Sequence, residues 1–334
     1  MFSLVKEILV VFAVRLLASL QWYRVRRDSF AKGNSMAQVR NKLDGYLTSV
    51  IERIADGFMF TEGPVWHPDG FLLFSDMPGD KRRKWAPGTG VEVVRDPANK
   101  CNGMAYDSYG NLLVCEHSTS NLMRESSDGG SIEVVASHYE GAQLNSPNDV
   151  IVAFSGDIYF SDPTYGRTPG FGVERDPELD FRGVYRIAPE GALQLVDSDF
   201  DQPNGLCLSP DESTLYVNDT ERALIVSYPR LGDGSIGARS VFVDGIGTVD
   251  YELGVVDGMK CDAEGNVLVT GPDGIWVFDS AGEHLGVIEV PEVVGNLNWG
   301  GPNWDTLYIT ASTSVYEVGC AVAGATVPNM RRNQ

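Results

Sequence analysis

The residues of this chain best suited to chemistry carry oxygen atoms and recur at matching points of a repeated pattern. The repeat is a short apolar strand, a turn containing Asp, Gly or Pro, and a second strand, and it occupies residues 65–76, 105–116, 151–162, 207–219, 260–271 and 298–311. Aligned on their last residues, the copies are separated by 40, 46, 57, 52 and 40 residues. Such a period is typical of the blades of a β-propeller.

One oxygen-bearing residue precedes each copy at the start of its first strand. Counting back 14 residues from the end of a copy, or 15 in the fourth and sixth copies with their longer turns, gives Glu62, Asn102, Asn148, Asn204, Asp257 and Asn296. The innermost strands of a propeller surround its axis, so equivalent positions form a ring on one face. Carboxylate and amide oxygens without Cys or clustered His suit calcium or magnesium. The sequence therefore predicts a divalent metal at one end of a central channel.

An alternative interpretation treats these residues as ordinary turn formers. Asn102, Asn204 and Asp257 each precede a glycine, and Asn-Gly and Asp-Gly pairs are common in turns. Turn chemistry does not favour Glu62, however, and it does not explain six aligned positions. We therefore prefer the metal ring.

The predicted fold is an all-β, six-bladed propeller with four-stranded blades around the metal-containing channel. Further strand-like runs lie between the copies and supply outer strands, at residues 91–94, 132–136, 183–187, 193–196, 225–228 and 275–278. A run at 49–54 precedes the first copy and another at 315–318 follows the last. The N-terminal strand is thus predicted to complete the final blade and close the ring without a free edge. The predicted domains are an N-terminal extension (1–45), the propeller (46–322) and a C-terminal tail (323–334).

Charge and cysteine content narrow the classes of partner and site. The formal net charge of −20 disfavours nucleic acid, whose binding depends on Lys and Arg. The five cysteines form no C-x-x-C pair and are odd in number, so neither a disulfide framework nor a zinc knuckle is indicated. Most are expected to pack as small core residues.

The apolar stretch at residues 4–20 is interrupted by Lys6, Glu7 and Arg15, which leaves too little for a membrane-spanning helix of about 20 residues. A cytoplasmic protein is therefore expected, with export or anchoring through this segment as the alternative. Membrane contact is expected only through residues 1–35, if at all. The segment is otherwise interpreted as an amphipathic helix on the domain, or as an upstream extension with Met36 as the true start.

Several motifs resemble the gluconolactonase-like branch of the senescence marker protein/regucalcin/gluconolactonase family, a group that is also similar to diisopropyl-fluorophosphatase. They are FTEGPVW (60–66), LNSPNDVIV (144–152), QPNGLCLSPDESTLYVNDT (202–220) and DGMKCDAEGNVLVTGPDGIWVF (257–278). The resemblance implies that Glu62, Asn148, Asn204 and Asp257 bind one divalent cation, usually calcium, with magnesium, manganese or zinc as alternatives.

Two departures from the family pattern are visible. Val256 replaces the usual Pro before Asp257, and Ser146 stands where regucalcin-type members have an Arg that grips sugar hydroxyls. The aldonolactone substrate is consequently implied less firmly than the metal.

The predicted chemistry is hydrolysis. A ring-bound cation can polarise a lactone carbonyl while a carboxylate takes the proton from the attacking water. By family resemblance Asp257 is the expected base. Asp149 is a second candidate, although strand alternation is expected to point it away from the axis.

Substrate contacts are predicted for five residues near the mouth of the channel: Asn102, Asn148, His117, Tyr165 and Asn296. Asp76, Glu116, Asp162 and Asp219 end the second strands near the same mouth and are interpreted mainly as turn caps. The long connection at 163–182 is either a lid or rim loop, or an ordinary surface insertion.

The sequence thus predicts a metal-dependent hydrolase of small, sugar-derived lactones. One alternative is a phosphotriesterase or arylesterase acting at the same metal site, and another is a non-catalytic, calcium-binding regulatory propeller. Signatures of other chemistries, such as G-x-S-x-G, a P-loop or H-E-x-x-H, are absent from the sequence.

Overall fold

Six four-stranded antiparallel sheets make up the fold in the computed structural model, which describes residues 42–247 and 253–333. The sheets are arranged as blades in a ring, so the predicted six-bladed β-propeller is confirmed. The expectations for residues 1–41 lie outside the described residues. Among those described, none of the helices combines the length and the apolar content of a membrane span.

The first three blades follow one another along the chain, each running from the innermost strand outward. Blade one contains β2 (Thr61–His67), β3 (Phe71–Asp76), β4 (Lys81–Ala86) and β5 (Gly90–Arg95). Blade two contains β6 (Cys101–Tyr106), β7 (Leu112–Glu116), β8 (Asn121–Glu125) and β9 (Ile132–Ala136). After a small hairpin of β10 (His138–Tyr139) and β11 (Ala142–Gln143), blade three contains β12 (Val150–Val152), β13 (Ile158–Asp162), β14 (Arg182–Ile187) and β15 (Leu193–Phe200).

The remaining blades repeat this order, except that the last one takes its outermost strand from the other end of the chain. Blade four contains β16 (Pro203–Leu208), β17 (Thr214–Asp219), β18 (Leu224–Pro229) and β19 (Ser240–Val243). Blade five contains β20 (Met259–Cys261), β21 (Val267–Gly271), β22 (Gly274–Phe278) and β23 (His284–Glu289). Blade six contains β24 (Val294–Gly300), β25 (Thr306–Ala311), β26 (Ser314–Gly319) and β1 (Glu52–Asp56).

Ring closure occurs as the sequence predicts, because β1 pairs antiparallel with β26. The observed strand begins three residues later than the apolar run at 49–54. This pairing joins the two ends of the propeller through backbone hydrogen bonds, which removes a free edge from the last blade.

Continuous apolar runs, rather than alternating ones, mark the second strand of each blade because neighbouring blades pack on both of its faces. One core cluster joins Leu113 of blade two to Phe160 of blade three, and another joins Tyr159 of blade three to Leu215 of blade four. All five cysteines are free and buried, as expected for small core residues.

The C-terminal residues cross the far end of the channel. The backbone N–H of Ala325 donates to the carbonyl of Cys261, and a 3-10 helix follows at Pro328–Asn333. A cavity of about 100 Å³ is lined by Pro328 and Asn329 together with inner-strand residues that include Lys260. The C-terminal segment thus lies at the opposite end from the starts of the inner strands.

Candidate active site

The six predicted ring residues all lie at or next to the start of an innermost strand, on the same face of the propeller. Glu62, Asn102, Asn148, Asn204 and Asn296 are buried, and Asp257 is half-buried. Asn102 and Asn204 lie inside β6 and β16 rather than in turns. The turn interpretation is therefore wrong for these two residues.

Bulges in the pairing of the innermost strands coincide with the ring residues. Between Glu62 and Val65 the inner strand advances three residues while β3 advances two, and the same irregularity occurs next to Asn102 and Asn204. In blade six the register shifts between Val294 and Asn296. A bulge bends a strand and redirects a side chain. The bulges here occur where each side chain must turn toward the axis.

Glycines follow several ring residues because adjacent blades approach closely there. A Cβ on Gly205 would lie 2.1 Å from the carbonyl oxygen of Asp257, and one on Gly103 would lie 2.6 Å from that of Asn148. The same glycines donate backbone hydrogen bonds to these carbonyl oxygens, at 3.1 and 2.8 Å. The Asn-Gly pairs of the sequence thus mark contacts between blades.

Side-chain hydrogen bonds connect four ring residues, which we call the closed half: Asn204, Asp257, Glu62 and Asn296. The amide nitrogen of Asn296 donates to Oε2 of Glu62 at 3.2 Å. The side-chain amide of Asn204 donates to the carboxyl group of Asp257, which also hydrogen-bonds to the carboxyl group of Glu62. The Asn204 amide also donates to Thr220 Oγ1 at 3.1 Å. The two carboxyl groups of the ring are therefore direct neighbours.

Burial and mutual repulsion raise the pKa values of both carboxyl groups. The pKa of Glu62 rises to about 7, first because of desolvation, while a backbone hydrogen bond from Gly63 acts in the opposite direction. The pKa of Asp257 rises well above its ordinary value through desolvation and the nearby charges of Glu62 and Asp149. Without a cation these carboxyl groups therefore favour their protonated forms, and a bound cation would stabilise the charged forms.

The other side of the ring, which we call the open half, consists of Asn102, Asn148 and Asp149. The amide oxygen of Asn102 and the Oδ2 of Asp149 are buried without a hydrogen-bond partner in the described part of the chain. Such atoms are costly unless a ligand or water satisfies them. The open half thus offers acceptor oxygens that the closed half uses internally.

The side chain of Asp149 does not point away from the axis, as strand alternation had led us to expect. Its Oδ2 lies 3.7 Å from the Nζ of Lys260, an inner-strand residue of blade five that also lines the channel cavity. The carboxylate therefore faces the channel, because the strand β12 begins only at Val150 and alternation does not yet apply to its predecessor.

His117 lies immediately after β7 and is fully buried. Its Nε2 is 3.3 Å from the amide nitrogen of Asn102, and its Nδ1 is 3.0 Å from the carbonyl oxygen of Phe171. Burial lowers the pKa of His117 to about 4. Both ring nitrogens are therefore engaged by protein groups.

The connection between β13 and β14, residues 163–181, folds over the open half and is called the rim loop below. Arg175 in this loop donates to the carbonyl oxygen of His117, and the N–H of Gly166 donates to Ser146 Oγ at 3.0 Å. Tyr165, in the short 3-10 helix Tyr165–Arg167, is half-buried. These contacts favour the rim-loop interpretation over a surface insertion.

Three of the four acidic residues that end the second strands cap loops as expected, whereas Glu116 accepts a hydrogen bond from the Thr119 side chain. The carboxylate of Asp162 accepts from the backbone N–H groups of Asn145 and Ser146, and that of Asp219 accepts from Asp201 and Gln202. The same is true of Asp76, which accepts from Met59.

The sequence interpretation missed a layer of supporting residues one position earlier in the second strands. Asn218 donates to the carbonyl oxygen of Asp257 at 2.6 Å, and Ser75 Oγ donates to that of Asn102 at 2.8 Å. Equivalent positions carry Cys115, Ser161, Thr270 and Thr310. Mostly polar residues at a buried strand position, repeated in register, were the signal that could have identified this layer.

The donor set fits a hard divalent cation. It contains two adjacent carboxyl groups with raised pKa values and the Oδ2 of Asp149, which lacks a hydrogen-bond partner among the described residues and lies 3.7 Å from Lys260 Nζ. No cluster of three or more His, Cys, Asp or Glu side chains suited to a metal occurs among residues 42–247 and 253–333. A cation held here would have amide as well as carboxyl oxygens around it, a combination that calcium accepts and zinc does not prefer.

The fold and the site together define the class of protein. It is a six-bladed propeller with a ring of carboxyl and amide oxygens at the mouth of its channel, a site suited to a small molecule. Residues 60–313 match the family model described as the SMP-30/Gluconolactonase/LRE-like region, and the chain belongs to this family.

Similar proteins of known name support the assignment to this family. The chain is 34% identical to a gluconolactonase from Zymomonas mobilis, an alignment that covers 83% of each chain. It is 27% identical to a pentonolactonase from Haloferax volcanii, covering 75% of this chain and 81% of the relative. The solved structure of a gluconolactonase from Xanthomonas campestris is 33% identical, with a TM-score of 0.75, covering 83% of this chain and 92% of that one.

Proposed function

We propose that this protein is a lactonase that opens small, sugar-derived lactones at the oxygen ring. The observation that carries the proposal is the contact between the carboxyl groups of Glu62 and Asp257, both with raised pKa values, at the mouth of the channel. The similarity to gluconolactonases and a pentonolactonase supports the lactone class of substrate.

One divalent cation, with calcium the first choice, would be held by Glu62, Asn148, Asn204 and Asp257. When bound, the cation supplies polarisation of the lactone carbonyl and stabilises the negative charge that develops on its oxygen. The two carboxylates balance its charge. Lys260, which is paired with Asp149, places a positive charge near Glu62 that opposes the cation.

Asp257 is the proposed general base. The residue is more exposed than the other five ring residues, and the Asn204 amide holds its carboxylate in place by a hydrogen bond. Water oxygen bonds to the carbonyl carbon as Asp257 takes the water proton. The ring C–O bond then breaks, and the proton returns to the departing ring oxygen.

Substrate positioning falls to the open half and the rim. Asn102 and Asn148 offer amide groups to lactone hydroxyls, and Asn296, which donates to Glu62, is proposed to contact the substrate from the closed half. Tyr165 on the rim loop is proposed to contact the substrate from above. Ser146, which hydrogen-bonds to the rim loop, stands where an arginine would grip sugar hydroxyls.

The test is lactone hydrolysis by metal-stripped protein, followed by acid release with a pH indicator, before and after calcium, magnesium, manganese or zinc is added. Sugar lactones, simple lactones, aryl esters and organophosphates form the substrate panel. We expect turnover of sugar lactones that depends on an added cation. Preferred turnover of an organophosphate or aryl ester, or cation binding without any turnover, would contradict the proposal.

Matched variants separate the ring from general folding effects. Glu62→Gln and Asp257→Asn should abolish both cation binding and turnover. Glu116→Gln changes an equally buried carboxylate that accepts a hydrogen bond from Thr119 outside the ring, and it should retain both.

A further inference from the structure

The imidazole of His117 links the rim loop to the ring, and its protonation pattern can be read from its two partners. The carbonyl oxygen of Phe171 can only accept a hydrogen bond, so the facing Nδ1, at 3.0 Å, must carry a proton. The ring is fully buried, and its pKa is lowered to about 4, so it is neutral and holds a single proton. Nε2 is therefore an unprotonated acceptor.

This acceptor decides which way the Asn102 amide points. The group 3.3 Å from Nε2 must be the NH2 of Asn102, because the amide oxygen in that position would place two acceptors face to face. The Asn102 oxygen consequently points away from His117. It is buried, and no group in the described part of the chain donates to it.

The rim loop maintains this arrangement from the other side. Arg175 donates to the carbonyl oxygen of His117, and Phe171 packs edge-on against Phe60, with ring centroids 6.2 Å apart. Gly166 lies so close to His117 that a Cβ there would be 2.6 Å from the histidine Cβ. The imidazole therefore has little freedom to rotate or exchange partners.

We propose that His117 is a positioning residue: held in its Nδ1–H form by Phe171, it turns the Asn102 amide so that its oxygen accepts a hydrogen bond from a lactone hydroxyl. This inference rests on the proposed lactonase function. His117 itself touches neither the substrate nor the reacting atoms. The rim loop thereby influences substrate binding through a hydrogen-bonded chain rather than by direct contact.

The first test needs no substrate. Long-range ¹H–¹⁵N spectra of ¹⁵N-histidine-labelled, metal-stripped protein report the tautomer of each of the four histidines, and His117→Gln assigns the signal. We expect His117 to show protonated Nδ1 and bare Nε2 without titration between about pH 5.5 and 8. An Nε2–H tautomer, or titration near its ordinary value of 6.5, would overturn the proposal.

The second test compares two replacements of similar size. His117→Gln keeps a donor for Phe171 and an acceptor for Asn102, whereas His117→Met keeps neither. For a sugar lactone we expect His117→Met to raise KM about tenfold, with kcat and calcium affinity changed less than about threefold, and His117→Gln to recover most of the loss. Thermal melts confirm that both variants fold.

Equal KM values in the two variants, or a loss confined to kcat, would show that His117 does not position substrate. If the wild-type protein hydrolyses no lactone, the proposed function fails. The tautomer measurement still decides whether His117 sets the orientation of Asn102.

Discussion

The two halves of the oxygen ring differ in how their polar atoms are used. In the closed half, Glu62 and Asp257 share hydrogen bonds with each other and with the neighbouring Asn204 and Asn296 side chains. In the open half, the Asn102 oxygen and Asp149 Oδ2 lack hydrogen-bond partners among the described residues. The difference indicates that one ring serves two purposes. The acidic side is suited to a cation, and the amide side to a polar substrate.

Position in the fold accounts for the difference. The closed half comes from blades four, five, six and one, and the open half comes from blades two and three, where the rim loop folds over the ring. A loop that covers only one side can change the substrate while leaving the three proposed cation ligands of the closed half intact.

The largest loss of activity should come from a substitution in the closed half. Asp257→Asn removes both a ligand charge and the proposed base, so kcat/KM should fall at least about 1000-fold. Asn102→Ala in the open half should lower it by only about 10- to 100-fold, through KM, and leave one cation bound. Kinetics with parallel metal analysis checks both variants. Loss of the cation from Asn102→Ala would erase the distinction between the halves.

Close approach of blades four and five should make Gly205 intolerant of a side chain. Because its Cβ would lie 2.1 Å from the Asp257 carbonyl oxygen, we expect Gly205→Ala to destabilise the fold by about 3 kcal/mol or more. Gly232→Ala is the control, because no atom lies within 4 Å of the added carbon. Denaturant unfolding measures both. Similar stabilities would refute the close contact.

Cation binding should compete with protons at the closed half. The pKa of Glu62 is raised from 4.5 to about 7, so the folded, metal-free protein holds this proton more tightly than the unfolded chain. That contribution to stability is fully present below about pH 4.5 and is lost as the pH rises through about 7. Calcium needs the carboxylate, so it should raise Tm more at about pH 8 than at about pH 5.5.

Glu62→Gln provides the control for this pH dependence, because its amide does not titrate. Because this variant should not bind the cation, calcium should leave its Tm unchanged at both pH values. A calcium-induced shift that is larger at the lower pH would contradict the assignment of Glu62 as a ligand.

The smallest effect, a change in calcium affinity, is expected for Lys260, at the boundary between the halves. Lys260 pairs with Asp149 and lowers the pKa of Glu62 through its positive charge. Lys260→Met should therefore strengthen calcium binding by about threefold to tenfold, since one nearby positive charge is lost. Calorimetric titration measures the change, with Lys260→Arg as the charge-retaining control. Weaker binding in Lys260→Met would mean that Lys260 supports the site structurally.

The repeat predicted the architecture well because each blade uses the same strand pattern, and the closing strand β1 follows from apolar runs at both ends of the chain. The same alignment placed Glu62 and Asp257 on one face. Sequence could not show that these two carboxyl groups touch while Asn102 turns to His117, since those contacts join different blades.

Two features of the sequence are misleading for physical reasons. Asn-Gly pairs resemble turns, the interpretation that the sequence analysis set aside, and in the structure Gly103 and Gly205 make room for the next blade. Asp149 faces the channel because it precedes its strand and escapes strand alternation. Asp149 belongs to blade three and Lys260 to blade five, with blade four between them, so the sequence does not show that they pair.

The most direct test of the oxygen ring is anomalous diffraction from crystals grown with manganese, which locates the ion without assumptions about its ligands. The account predicts one strong peak at the mouth of the channel, in contact with the side-chain oxygens of Glu62, Asn148, Asn204 and Asp257. A peak elsewhere, or none at saturating manganese, would contradict it.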